Sequence, residues 1–297
     1  MRSLLPQGWL LVACVVCATV AATASAGTDD RLVFSAAGST LSEGSGGGAG
    51  SAGWLHNFTA DTLAGAAVDY QTIADAHWTF GSLTASTTSG PANARLSLYG
   101  EVHEGSGDIG TNERLVVTDQ IRDAAVAQER QQPVFGEVLR RFDYSVVAAG
   151  LIRTFGSHFS MLLEDKQIDI DTTHGNLPKL GMTVVWGPRL QTAVNWQHSV
   201  SGNLGTNIGT LRLDGYTKPL NWLLGGAYGQ ATPAVVNLQT GVAQPGSTLK
   251  EVFIGASKTM ARSQVTVVAD HLVLAGIKRE TLTLSYIYDL GPSGHPK

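Results

Sequence analysis

The sequence predicts an all-β chain: an up-and-down antiparallel transmembrane β-barrel of about 12–14 strands. Three observations predict it. The last strand-like stretch, Thr281 to Leu290, puts Leu282, Leu284, Tyr286, Tyr288 and Leu290 on one face. Thr281, Thr283, Ser285 and Asp289 fall on the other, with Ile287 the lapse. Alternate side chains of a strand point to opposite sides, so one row is apolar and the other polar, as between lipid and a wet interior. The chain begins with an export-type segment. Strand-like runs then follow one another around recurring turns.

Residues 1–26 read as a secretory signal. Arg2 supplies the positive start, Trp9 to Val20 the apolar core, and Ala24-Ser25-Ala26 a small-residue cleavage site. The mature chain is expected to begin near Gly27. A lipoprotein signal is the alternative, because Leu11-Val12-Ala13-Cys14 resembles a lipobox; the apolar run continuing to Ala22 argues against it. Both cysteines, Cys14 and Cys17, lie inside this segment. A mature chain without cysteine has no disulfide, thiolate metal site or cysteine nucleophile, which suits passage through an oxidising compartment.

Removing residues 1–26 takes away one Arg and leaves 19 basic against 24 acidic residues, a balance of −5. That is no nucleic-acid footprint, which needs a clustered basic face. Past the signal no apolar stretch approaches the length of a transmembrane helix. Charged residues make up only 15% of the chain and glycines number 35, which favours β-structure with many turns. Mean hydropathy is near zero, as alternation requires.

Residues 27–53, with the run Gly44 to Gly53, read as a flexible Gly/Ser-rich leader. The barrel is expected over 54–290, and 291–297 as a tail. Paired strands are expected at Phe142–Thr154 and His158–Lys166, Leu180–Trp186 and Leu190–Val200, Asn207–Thr217 and Asn221–Gln230, and Glu251–Lys258 and Gln264–Leu274. Short Gly- or Pro-bearing turns join each pair. The other connections, Ile168–Pro178, Ser201–Thr206 and Ala231–Ser247, are longer, an asymmetry outer-membrane barrels share. Ala275–Lys278 departs from it. Residues 105–133 are the weakest region, a strand and loop or a short helix.

In Leu190–His198, Leu190, Thr192, Val194 and Trp196 oppose Gln191, Ala193, Asn195 and Gln197. Leu211 and Leu213 oppose Arg212 and Asp214. Leu96, Leu98 and Val102 oppose Arg95, Tyr99, Glu101 and His103. A soluble β-sandwich also alternates. The barrel is favoured by the regular hairpins and by Trp54, Trp78, Trp186, Trp196 and Trp222 near strand ends, where interfacial girdles sit. Charged side chains are then expected in the lumen, since Arg or Lys against lipid costs about 2–4 kcal/mol at the midplane. Lumen-facing candidates are Arg95, Glu101, His103, Arg153, Glu164, Arg212 and Asp214.

No catalytic set is assigned. His103 and Ser106 fall on opposite faces of a continuing strand, and the Gly105/Gly107 pair suggests a turn. Asp69, His77 and Ser82 fail as a triad because His77 and Ser82 differ by an odd number. Glu164-Asp165-Lys166 with Asp169 and Asp171 forms an acidic patch able to hold a divalent cation between lipid phosphates, although a solvated loop face explains it as well. Neither a metal site nor a cofactor is expected, and no phosphate-cradling or dinucleotide motif is present.

Taken with the signal and the turn-linked strands, Arg95-Leu96-Ser97-Leu98-Tyr99-Gly100-Glu101 and Leu284-Ser285-Tyr286-Ile287-Tyr288 make the chain resemble the YaiO-type outer-membrane β-barrel proteins over Trp54 to Leu290. The resemblance implies an outer-membrane barrel, some of whose relatives lie near exopolysaccharide or secretion loci, and brings no catalytic residues. Such barrels usually finish on an aromatic residue. Here Leu290 precedes Gly291–Lys297, which leaves Tyr288 as the internal substitute. The expected function is a pore for envelope transport or export, with exopolysaccharide as one cargo. An envelope lipid-modifying enzyme and a structural or adhesion barrel are the rivals. The expected partners are outer-membrane lipid, periplasmic chaperones, the barrel-assembly machinery, and a polysaccharide or small solute. Nucleic acid is not among them.

Overall fold

Alternation and turn chemistry together dictate a meander, and the computed structural model closes it. It describes residues 29–42, 46–73, 76–111, 138–170, 173–231, 247–274 and 277–292. The signal, its cysteines, Asp171 and residues 293–297 lie outside the described residues, as does most of the weak region. The strands are β1 (Asp29–Leu41), β2 (Gly46–Thr59), β3 (Thr62–Ile73), β4 (Ala76–Ser89), β5 (Leu96–Thr111), β6 (Val138–Phe155) and β7 (Phe159–Ile170). They continue with β8 (Thr173–Asn176), β9 (Lys179–Gly187), β10 (Leu190–His198), β11 (Asn207–Tyr216), β12 (Asn221–Ala231), β13 (Ser247–Thr259), β14 (Ser263–Leu274) and β15 (Ile277–Pro292).

Each strand pairs antiparallel with its neighbours, and β1 closes the ring against β15 from Asp29↔Pro292 to Leu41↔Arg279. Short β8 pairs only with β7, as a flap. The closed wall is therefore an antiparallel barrel of 14 strands. Closure gives each of the 14 wall strands two neighbours, so none runs through lipid as an edge strand.

The two ends differ. One, the turn end, carries 60–61, 90–95, 156–158, 188–189, 217–220 and 260–262, together with both strand termini, Asp29 and Pro292. Gly156, at φ 67, supplies the left-handed residue one of these turns requires. The other, the loop end, carries the connections after β1, β3, β5, β7, β10, β12 and β14.

Three expectations change. Residues 29–53 are not a leader but β1 and most of β2. Glycine weakens an isolated strand, but here β1 is laddered to β15 and β2, and β2 to β1 and β3. Second, β15 runs through Gly291 to Pro292, past the expected boundary. Third, β5 continues through Gly105 and Gly107 to Thr111 with no turn. Those glycines lie against β4 and β6, where the Thr79 and His77 carbonyls, the Cβ atoms of Phe80 and Trp78 and the Phe142 ring leave no room for a Cβ.

Outward rows are apolar across the middle of the wall: Leu83, Leu98, Leu163, Leu211, Ile254 and Leu284 are all exposed. Trp54, Trp186, Trp196 and Trp222 are exposed with them, as girdle residues would be, but Trp78 is buried inside and belongs to no girdle. A charge in the outward belt should be costly. Leu284→Arg is expected to destabilise the folded barrel by up to about 2–4 kcal/mol, the cost of Arg against lipid at the midplane. Urea titration of the heat-modifiable gel band checks this, with Ser285→Arg, facing the lumen, as the milder comparison.

Candidate functional site

The lumen is the concave surface on which any function must be built, and registers fix its lining. Toward the loop end the two rows of several strands exchange character. On β7, Met161 and Leu163 face outward and are followed there by Asp165, Gln167 and Asp169. Its inward row runs Leu162, Glu164, Lys166, Ile168, Ile170. On β4, inward Ser86, Thr84 and Ser82 give way to Phe80, Trp78 and Ala76. On β13, outward Ile254 and Val252 give way to Lys250, while Leu249 is fully buried inside. The loop end thus has a water-facing exterior and an apolar interior, the arrangement of a soluble β-structure. The middle has the reverse, as a wall in lipid requires.

The apolar interior forms two clusters. One joins Trp78, Phe80, Phe142, Val146, Ile168 and Ile170 to Leu177 and Leu204, which come from the connections after β7 and β10. These connections are tied together: Asn203 N donates to the His174 carbonyl at 2.9 Å and His174 N to Asn203 Oδ1 at 2.8 Å. Val200 N also donates to the Asn176 carbonyl at 3.1 Å. Gly202, at φ 73, lies against His174, where a Cβ would clash. The second cluster gathers Ile208, Ala227, Ala231, Leu249, Leu272 and Leu274.

Below these clusters the lumen is ionic. Lys166 Nζ lies 3.5 Å from Glu101, and His103 Nε2 3.6 Å from the same carboxylate. Lys179 Nζ lies 3.6 Å from Glu164, which also accepts a hydrogen bond from Tyr99. On the far wall Arg279 pairs with Asp270 at 3.2 Å and is only 2% exposed. Arg212 grips Asp214 at 2.5 Å, and Gln191 donates to the same carboxylate at 3.2 Å. Arg31 meets Asp289 at 2.8 Å near the turn end. Glu164, Lys166, Asp214, Arg31 and Arg279 are buried and the others mostly half-buried, and each is held by its partner; an unpaired buried charge is expensive.

Of the residues expected in the lumen, Glu101, His103, Glu164, Arg212 and Asp214 lie on inward rows, and the register brings Glu101 and His103 together with Lys166. Arg95, just before β5, continues that strand's inward row at the turn end. Arg153 does not face the lumen. It pairs with Leu96 and Met161, on the outward row of Leu151 and Val147. Its place near the turn end explains why lipid tolerates it, since a long side chain there reaches the headgroup level. Sequence reasoning missed Lys166, Lys179, Asp270 and Arg279. Their alternation with Asp165, Leu180, Ala269 and Lys278 carried the signal; their pairings did not.

Neither imagined catalytic set assembles. His77 faces outward while Asp69 and Ser82 face inward; His103 faces inward while Ser106 faces outward. Glu164 and Lys166 face in, Asp165 and Asp169 out, which splits the acidic patch. Among the described residues no metal-ligating cluster occurs.

The small-residue wall of β1–β3 contrasts with the rest. Its inward rows read Ser35, Ala37, Ser39; Gly47, Ala49, Ser51, Gly53; and Ala67, Asp69, Gln71. Ser35, Ser39, Ser51, Asp69 and Gln71 are partly exposed, whereas Glu164, Lys166, Ile208, Leu249, Glu251 and Phe253 across the lumen are buried. Partly exposed inward residues also occur elsewhere, as at Thr84, Gln191, Asn195 and Thr266; what sets β1–β3 apart is the small size of most of its inward side chains, which project least into the lumen.

The sequence matches no known protein family and no curated protein. Solved structures match by shape. The toluene transporter TodX of Pseudomonas putida superposes with a TM-score of 0.55 at 8% identity, covering 96% of this chain and 95% of that one. The CymD monoaromatic hydrocarbon channel gives 0.56 at 10% identity, covering 90% and 89%. At such identities the likeness is one of fold, and it supports the closed barrel.

Proposed function

We propose that this chain is an outer-membrane channel that passes small hydrophilic solutes along the β1–β3 side of its lumen, with the turn end in the periplasm. The observation that carries the reading is the contrast between an apolar exterior belt and an interior wall of Ser, Gly and Ala that remains partly exposed. Small side chains leave space, and hydroxyls such as Ser35, which bonds Ser51 at 2.6 Å, replace water contacts for a polar solute. The export-type segment and the barrel fold support placement in a bacterial outer membrane.

The shape relatives are named for apolar cargo. That chemistry fits this lumen less well, because the chain's own Leu177 and Leu204 occupy the apolar clusters. Exopolysaccharide export, suggested by the YaiO-type resemblance, is the second reading. Sugars stack on aromatic platforms, and here Trp78, Phe80 and Phe142 are buried in the cluster rather than set along the exposed wall. Membership of that family stays an inference from pattern. Swelling of liposomes containing the purified, heat-modifiable barrel tests the proposal. Uptake should fall steeply with solute size; liposomes no more permeable than protein-free controls would overturn it.

A further inference from the structure

Asp69 occupies a position unlike that of the other carboxylates in the lumen. Glu101, Glu164, Asp214, Asp270 and Asp289 each lie within 4 Å of a Lys or Arg, and buried Glu251 shares the field of Arg279. Five of these carboxylates each have a cation against them, with Glu251 and Asp270 sharing Arg279. Asp69 sits at the centre of β3's inward row, between Ser51 of β2 and Phe80 of β4. It is half-buried and accepts a hydrogen bond from Ser82, and His103, whose ring is already held against Glu101, lies near it. Ser51, Ala49 and Ala67 around it are small, and it stays partly exposed to the lumen. Arg95, a lumen-facing cation, lies at the turn-end rim, remote from this stretch along the strands.

We propose that Asp69 is the selectivity carboxylate of the path, and that the channel prefers cations, or neutral solutes bearing a cationic group, over anions. This rests on the channel reading above. The physical reason is the focusing of a fixed charge. Between low-dielectric walls one negative side chain raises the local concentration of cations and repels anions, which is why carboxylates line cation-selective pores. The paired charges elsewhere in the lumen partly cancel as dipoles, so each pair contributes less to the sign of the field than a carboxylate with no Lys or Arg against it.

The test is the reversal potential of purified barrels in a planar bilayer across a KCl gradient. Wild type should reverse on the cation-selective side. Asp69→Asn should move the potential toward the unselective value and Asp69→Lys across it, while Asp69→Glu keeps the original sign. Asp165→Asn, on the outward row of β7, should change nothing. A conducting Asp69→Asn barrel with the wild-type reversal potential overturns the assignment and leaves the channel standing. Anion selectivity in wild type also overturns it. A barrel that migrates as folded yet conducts nothing overturns the channel itself, and this inference with it.

Discussion

Ala49→Trp is expected to remove most of the conductance, a several-fold fall in single-channel current, while Ala52→Trp leaves it near wild type. The two positions are three residues apart on β2 and lie on opposite faces. Ala49 stands inward between Ala37 and Gln71, and Ala52 outward between Phe34 and Val68. If solutes travelled down the barrel axis, neither substitution would matter much. If they travel beside β1–β3, an indole at Ala49 stands in the path, because buried side chains such as Phe253 and Lys166 project into the cross-section from other parts of the wall. Heat-modifiable migration establishes that both variants fold. An Ala49→Trp barrel with full conductance would place the path elsewhere. Ala52→Trp adds an aromatic ring to a lipid-facing row that already holds Trp54, where large apolar surface is favoured.

That asymmetry could not be read from the sequence, for a physical reason. Alternation assigns a residue to a face but says nothing about what lies across a lumen. The rows of β10, β11 and β15 were legible because lipid imposes one polarity on one row along their whole length. Leu190, Val194 and Trp196 face outward opposite Gln191 and Asn195, and Leu282 opposite Thr281. Trp78 misled because near the loop end the exterior is no longer lipid, so an aromatic residue there turns inward to a core. β7 contains the whole lesson: one apolar rule yields Leu163 outside and Ile168 inside on the same strand, on either side of Glu164. Arg153 misled in the same way at the opposite end. The Gly-rich stretch over 46–53 looked like a linker because its pairing partners, β1 and β3, are strands whose need for a neighbour a composition count does not register.

The charge pairs in the lumen are the second feature that only register produces, and their removal should have the largest effect on stability. Lys166 on β7 meets Glu101 on β5 across the intervening Ala148 of β6. The small residue between them lets the two long side chains touch. Their side chains are 9% and 16% exposed, so neither charge is well hydrated when alone. Lys166→Met keeps most of the side-chain volume and deletes the charge. It is expected to cost about 3–5 kcal/mol, mostly the penalty of leaving Glu101 buried without its cation. Glu101→Gln alone should be costly in the same way, because it removes the carboxylate that Lys166 faces at 3.5 Å. The double variant Glu101→Gln with Lys166→Met should be less destabilised than the sum of the two, by about 0.5–3 kcal/mol, because the second change removes the charge that the first exposed. Urea midpoints of the folded gel band for all four proteins complete the cycle. Strict additivity would mean the pair is solvated in the membrane-embedded barrel, so that water reaches this wall as freely as it reaches β1–β3. In that case Ala49→Trp should also fail to block, because a wet route would remain beside β7.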